Sequence, residues 1–90
     1  MRIIELNHWF VDGNELSISL MNLYASIELK SLGNNKYFSL KIEDSEGKEF
    51  IILYNTLEEA IYFTENVVVN CKSIDDVTNS YGEHVKKLKR

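Results

Sequence analysis

Alternation of hydrophobic and polar positions dominates the first half of the chain and predicts β-strands. Residues 3–11 are rich in β-branched and aromatic side chains and end at Asp12-Gly13-Asn14, a tight-turn signal because Gly and Asn tolerate positive φ. Residues 16–20 and 25–30 then alternate strictly, as half-buried strands do. We expect these two runs to form one bent or bulged strand. A helix over residues 16–29 is the alternative, because its leucines and Ile27 also satisfy helical spacing.

Two further turn signals divide the following residues into two more strands. Gly33-Asn34-Asn35 precedes an alternating run over residues 38–43, and Asp44-Ser45-Glu46-Gly47 follows it. Residues 50–54, Phe-Ile-Ile-Leu-Tyr, are continuously apolar. This run predicts a central strand with both faces covered or one face left apolar. At a sheet edge, the same strand would promote dimerisation by strand pairing.

The second half of the chain changes to helical spacing. Thr56 and Glu59 have the spacing of a capping box, in which each side chain satisfies a free N–H at the start of a helix. The apolar stripe that follows consists of Leu57, Ala60, Ile61, Thr64, Val68 and Cys71. Ser73 and Asp76 repeat the capping signature before a second stripe. Gly82 weakens this second helix by roughly 1 kcal/mol relative to Ala, so a break around it is a further expectation.

Strands followed by helices predict an α+β fold. We expect residues 1–90 to form a single domain, an antiparallel meander of four to five strands followed by two C-terminal amphipathic helices packed on one face. The other sheet face is expected to be polar and solvated. Its predicted members are Ser17, Ser19, Ser26, Glu28, Lys30, Ser39, Lys41 and Glu43, with Trp9, Tyr37 and Tyr54 on or near it.

Charge is distributed unevenly along the chain. The net charge of −4 combines fourteen acids and six bases in residues 1–85, which sum to −8, with a basic tail of +4 in residues 86–90. A body of this sign repels phosphate and disfavours a broad nucleic-acid-binding face. The tail either complements the dipole at the end of the second helix or contacts nucleic acid or anionic lipid.

The sequence contains no recognisable catalytic or metal-binding arrangement. Cys71, the only cysteine, continues an apolar stripe, so we expect a buried structural thiol and not a nucleophile paired with His8 or His84. The spacings typical of zinc sites and phosphate loops are missing, and Asp44–Glu49 is interpreted as an acidic turn, not a calcium loop. We therefore predict no enzyme activity and no catalytic, cofactor or metal residues. A cytoplasmic protein without a membrane span is expected.

Acidic side chains and one tryptophan are the candidate partner-binding groups. Trp9 would be an exposed anchor if His8 and Phe10 faced the core. One acidic group occupies a predicted hairpin and another opens the first helix, where dipole and capping also explain it. The predicted partner-binding residues are Trp9, Glu43, Asp44, Glu46, Glu49, Glu58 and Glu59.

These observations predict a small acidic protein-binding module. Asn and Ile number nine each, Lys eight, and Pro and Gln are missing, a bias towards residues with A/T-rich codons. The more specific hypothesis is a phage or mobile-element inhibitor of a host nucleic-acid enzyme, of the anti-defence or anti-CRISPR kind. Its acidic hairpin would imitate phosphates in a basic groove. The alternatives are a nucleic-acid-binding protein that uses the basic tail, and a structural homo-oligomer such as a homodimer.

Overall fold

The chain forms a five-stranded antiparallel sheet followed by two helices, which confirms the predicted α+β fold. The computed structural model describes residues 9–88, apart from the side chains at positions 84 and 86–88. The strands are β1 (Phe10–Asp12), β2 (Glu15–Ser19), β3 (Tyr24–Leu32), β4 (Asn35–Glu43) and β5 (Glu49–Tyr54). The helices are α1 (Leu57–Asn66) and α2 (Ile74–Leu88), with a short 3₁₀ segment (Val68–Asn70) between them.

The sheet is a simple meander in which every strand pairs antiparallel with the next one in sequence. Both helices pack on one side of it, with α1 against β3, β4 and β5 and α2 against β5. We call this side the helix face and the opposite side the open face. The helix face carries the nearly fully buried residues Ala25, Ile27, Leu40, Ile42 and Ile52.

Three hairpins turn at the glycines that the sequence indicated. Gly13, Gly33 and Gly47 have φ values of 63°, 63° and 89°, a region that other residues rarely adopt. The pairings β1–β2, β3–β4 and β4–β5 flank these turns. The predicted turns are therefore confirmed, and they explain why this half of the chain forms hairpins.

The prediction of one continuous strand through residues 16–30 is wrong, and so is the helical alternative. The chain reverses between β2 and β3, where the Leu20 N–H donates to the Leu23 carbonyl at 2.8 Å. Met21 at the tip is 95% exposed. This turn contains neither Gly nor Pro, so only Asn22 signalled it in the sequence.

The expectation that residues 50–54 form a central strand is also wrong. Among the described residues β5 lies at the edge of the sheet, with β4 as its single neighbour. Ile51 and Leu53 point to the open face and are 50% and 62% exposed. The continuous apolar run thus comes from hydrophobic side chains left on the open face and not from burial of both faces.

Helix α1 begins as predicted and ends earlier than its apolar stripe. The Thr56 hydroxyl accepts from the Glu59 N–H at 3.2 Å, which is the predicted N-cap. The Glu59 carboxylate accepts from the Thr56 hydroxyl at 3.0 Å and not from the Thr56 N–H, so the second half of the capping box differs from the prediction. After Asn66 the backbone tightens into the 3₁₀ segment, which still buries Val68. The stripe therefore continues across a change of helix type.

Helix α2 runs without interruption through Gly82, so the break considered there does not occur. The preceding residue explains the continuity, because the Tyr81 ring packs edge-on against Phe50 and Phe63 at centroid distances of 5.6 and 5.7 Å. At the start of the helix, Ser73 accepts from the Asp76 N–H at 3.3 Å. No helix of the described chain is long and apolar enough to cross a membrane.

Two sequence predictions concern parts of the chain outside the described residues. They are the N-terminal portion of the first predicted strand, up to residue 8, and the side chains of the basic tail. The tail's role in nucleic-acid binding stays a prediction.

Candidate functional site on the open face of the sheet

Acidic side chains lie next to one another across three strands of the open face. Strand pairing places Asp12 opposite Glu15 and Glu15 opposite Glu28. Residues directly opposite in an antiparallel pair share a face, with Cβ atoms about 4.5–5.5 Å apart. These three residues therefore form one row, which we call the upper acidic row. Between described side chains, the one ion pair joins Lys30 Nζ to Glu28 at 3.6 Å.

A second pair of acids lies at the other end of the open face. Glu43 at the end of β4 is directly opposite Glu49 at the start of β5, and Tyr24 of β3 is directly opposite Glu43. Neither glutamate has an ion-pair partner in the part of the chain that the structure describes. Like charges directly opposite destabilise a strand pair. No described cation forms an ion pair with either carboxylate, and the nearest base on this face is Lys41, two residues before Glu43 and opposite Ile51.

The β4–β5 hairpin next to this pair is held by Asp44. Its Oδ1 accepts from the backbone N–H of Glu46 and of Lys48, both at 2.9 Å. The Glu46 side chain is exposed at the tip. The structure thus brings the predicted residues Glu43, Asp44, Glu46 and Glu49 together at one end of the sheet. We call this group the acidic hairpin, in which Asp44 shapes the turn and the three glutamate carboxylates have no ion pair or hydrogen bond with a described residue.

The other two predicted acids lie far from this group. Glu58 and Glu59 occupy the first turn of α1, which follows the opposite end of β5. The length of β5 separates the two groups by about 17 Å, at roughly 3.3 Å per residue. With Tyr54 and Tyr62 these two acids line a groove of about 350 Å³. Since Glu59 also caps the helix, its position has a structural explanation that the three hairpin glutamates lack.

Apolar side chains interrupt the charges of the open face. Phe10 of β1 is 70% exposed, and Ile51 and Leu53 project from the other edge strand. The row of directly opposite residues that joins the two edges is Phe10, Ser17, Ser26, Lys41 and Ile51. The face is therefore a mixture of acids and exposed hydrophobic groups, and its aliphatic members and Phe10 were not among the exceptions to the predicted polar surface.

Trp9 is buried, so the expectation of an exposed indole anchor is wrong. Its side chain is 5% exposed within the hydrophobic core, and its Nε1–H donates to the Glu65 carboxylate of α1 at 3.0 Å. The prediction assumed that Phe10 faced the core. Pairing with Ser17 instead places Phe10 on the open face, which directs the preceding residue to the helix side.

Tyr54 also differs from its predicted position. It lies on the helix face, in line with Phe38, and its hydroxyl is buried without a hydrogen-bond partner among the described residues. Burial raises the pKa of this phenol well above its usual range, and the nearby Tyr81 and Glu59 add to the shift. Tyr37, by contrast, lies on the open face opposite Lys30, as predicted.

The predicted burial of Cys71 is confirmed. Its Sγ donates to the Val67 carbonyl at 3.3 Å and lies 3.9 Å from the Ser80 hydroxyl. Burial raises the pKa of the thiol, an effect that the contact with Ser80 opposes and the charge of Asp76 reinforces. Within the described residues, no group of three His, Cys, Asp or Glu side chains is arranged to hold a metal ion.

Sequence reasoning missed the upper acidic row and the exposed edge hydrophobics. Asp12 and Glu15 flank the first turn and are three residues apart, whereas Glu28 is thirteen residues further along and meets Glu15 only through strand pairing. The alternation around Glu15 and Glu28 identified the face that each occupies, but the register that places them opposite one another is non-local. No known protein family matches the chain, and neither a curated protein nor a solved structure does.

Proposed function

We propose that the protein is a small acidic binding module that docks its open face and acidic hairpin against a basic surface of a larger protein. The observation that carries this proposal is the direct opposition of Glu43 and Glu49, neither of which forms an ion pair with a described residue. A pair that destabilises the isolated sheet is explained if a partner supplies the missing positive charge. The exposed Phe10, Ile51 and Leu53 would add apolar contact area.

A protein partner fits this face better than a nucleic acid does. The upper acidic row and the acidic hairpin place carboxylates at both ends of the open face, with Lys30 and Lys41 as its basic members. This excess of negative charge repels phosphate and attracts Lys- and Arg-rich protein surfaces. Attraction at long range would raise the association rate, most strongly at low ionic strength.

The more specific version of the proposal is imitation of nucleic acid. A basic groove that accommodates phosphates also accepts a rigid array of carboxylates, and strands hold their side chains in fixed register. In this version the protein is a cytoplasmic inhibitor of a host nucleic-acid enzyme, encoded by a phage or mobile element and similar in action to anti-CRISPR proteins. The A/T-rich codon bias of the sequence supports that origin.

The test is capture of proteins from a host lysate on the immobilised chain. The test variant carries Glu43→Gln, Glu46→Gln and Glu49→Gln. The matched control carries Asp75→Asn, Asp76→Asn and Glu83→Gln, which removes the same charge from α2, outside the predicted partner-binding residues. We expect a nucleic-acid-handling protein to be retained by wild type and control, lost from the variant, and released by about 0.5 M salt, which screens charge attraction.

A competition experiment with nucleic acid distinguishes binding in a phosphate-binding groove from binding at another basic surface of the partner. Duplex DNA or RNA added to the captured complex should displace the partner if both occupy one groove. Retention that is equal for the test variant and the control would overturn a role for the acidic hairpin. A gel shift of labelled duplex DNA by the chain alone would instead favour the alternative in which the basic tail binds nucleic acid.

A further inference from the structure

The outer edge of β5 presents unpaired backbone groups. In the hairpin, the Asp44 N–H donates to the Lys48 carbonyl at 3.0 Å, which identifies these residues as a hydrogen-bonded pair. Hydrogen-bonded and non-bonded pairs alternate along an antiparallel ladder. Glu49, Ile51 and Leu53 therefore point their N–H and C=O groups away from β4. In the part of the chain that the structure describes, no backbone group pairs with them.

This edge lacks the features by which sheet edges usually avoid association. Residues 50–54 contain no charge, no Pro and no Gly, and Ile51 and Leu53 are exposed on the open face. Natural edge strands are commonly short, charged, bulged or interrupted by Pro. Within residues 9–88, the opposite edge shows the contrast, because β1 has three residues and ends at Asp12. Of the two edges, β5 is the one suited to pairing.

We propose that β5 pairs antiparallel with β5 of a second copy of this chain, about a two-fold axis that passes beside Ile52. In this register Ile51 lies opposite Leu53 of the second copy, and Leu53 lies opposite its Ile51. Both pairs use the outward N–H and C=O groups and form four backbone hydrogen bonds. Two five-stranded sheets then become one continuous ten-stranded sheet.

The sequence of β5 matches itself in this register, which favours a second copy over an unrelated strand. Phe50 faces Tyr54, Ile52 faces its own equivalent, and Glu49 faces the amide of Asn55, so no like charges are opposed. Only registers that differ by two residues keep each side chain on its own face. The shift in one direction places Glu49 opposite Leu53, and the shift in the other places Ile51 opposite Asn55. Each shifted register keeps a single apolar pair on the open face, Ile51 with Ile51 or Leu53 with Leu53, where the proposed register has two.

The proposed interface closes on itself, because a two-fold contact uses the same strand on both copies. The two open faces then lie side by side on one surface of the ten-stranded sheet. Ile51 and Leu53 of each copy form an apolar group at the centre of this surface. An acidic hairpin of each copy would lie beyond this centre. Ile51 and Leu53 belong to both proposed surfaces, but the dimer depends on uncharged pairing and the docking depends on the acidic hairpin. The variant with Glu43→Gln, Glu46→Gln and Glu49→Gln should therefore lose the partner and still dimerise.

The experiment measures molar mass in solution by sedimentation equilibrium, at concentrations up to about 1 mM, which detects even millimolar dissociation constants. Wild type should approach twice the 10.5 kDa chain mass. The double variant Ile51→Lys with Leu53→Lys places two like-charge pairs across the two-fold axis. It should raise the dimer dissociation constant by roughly tenfold or more.

The matched control, Ile51→Lys with Leu53→Glu, tests the register. It also carries two charges on β5, but each lysine now faces a glutamate of the second copy, so dimerisation should persist. Circular dichroism checks that every variant is folded, as expected for exposed positions. The proposal is overturned if wild type stays monomeric, if it forms species larger than a dimer, or if the two double variants dissociate equally.

Discussion

The helix face and the open face are formed by the same strands, but pairs of directly opposite side chains stabilise the fold on the helix face and destabilise it at one position of the open face. On the helix face, Ile27 lies opposite Leu40, which lies opposite Ile52, and all three are buried beneath the helices. On the open face, Glu43 lies opposite Glu49 with no described cation between them. Burial of apolar surface stabilises the first set, and like-charge opposition destabilises the second.

This difference shows that the fold depends on one face and leaves the other free for interaction. The helix face is packed by α1 and α2 and has little freedom to change side-chain volume. The open face tolerates an unfavourable charge pair and exposed hydrophobic groups because neither is needed to hold the strands together. Substitutions on the two faces should therefore have effects of different size and, for the acids, of opposite sign.

The largest change in the free energy of unfolding should come from a substitution in the core between the helix face and the helices. Phe63 of α1 is almost fully buried and packs against Tyr81. Phe63→Ala leaves a cavity and should lower the free energy of unfolding by roughly 3–5 kcal/mol in a urea titration. The neighbouring Tyr62→Ala, at an exposed position, is the control and should cost less than about 1 kcal/mol. Equal losses would contradict the assignment of the core.

The next effect concerns Trp9, the residue that joins the start of β1 to the end of α1. Trp9→Phe keeps an aromatic ring and removes the Nε1–H donor to Glu65, so it should cost about 1–2 kcal/mol. In wild type, the fluorescence of this single tryptophan should resist quenching by iodide. Quenching as fast as that of a free indole would show that the side chain is exposed after all.

The contrast between Trp9 and the hairpins shows what sequence alone can predict here. Turns at Gly13, Gly33 and Gly47 and caps at Thr56 and Ser73 depend on residues within a few positions, so local patterns indicated them correctly. The face on which Trp9 lies depends on where a strand begins and how it pairs. The assumption that Phe10 faced the core gave Trp9 the wrong face.

The candidate site follows the same division. The acidic hairpin was predictable because its members are close together in sequence. That a strand separates them from Glu58 and Glu59 also follows from the order of residues along the chain. The opposition of Glu15 and Glu28 and the edge position of β5 arise from strand order and register, which are non-local. A continuous apolar run such as residues 50–54 is equally compatible with a buried central strand and with a strand whose second face binds a partner.

Removal of the cap at the start of α1 should have a smaller effect than either core change. Thr56→Ala removes the acceptor for the Glu59 N–H and should lower the free energy of unfolding by about 1 kcal/mol. Thr56→Ser keeps the hydroxyl and should restore most of the loss in the same denaturant titration. If serine were no better than alanine, the threonine would stabilise the helix through its methyl group and not through the cap.

The smallest change should have the opposite sign and tests the open face directly. Glu49→Gln removes the charge opposite Glu43, so the free energy of unfolding should rise by roughly 0.2–1 kcal/mol. Added salt should stabilise wild type more than this variant, because screening weakens a repulsion that only wild type retains. Glu46→Gln is the control, since Glu46 lies in the turn with no acid directly opposite, and it should leave stability unchanged. A loss of stability in Glu49→Gln would mean that this carboxylate stabilises the fold, and the reason for assigning the acidic hairpin to a partner would then disappear.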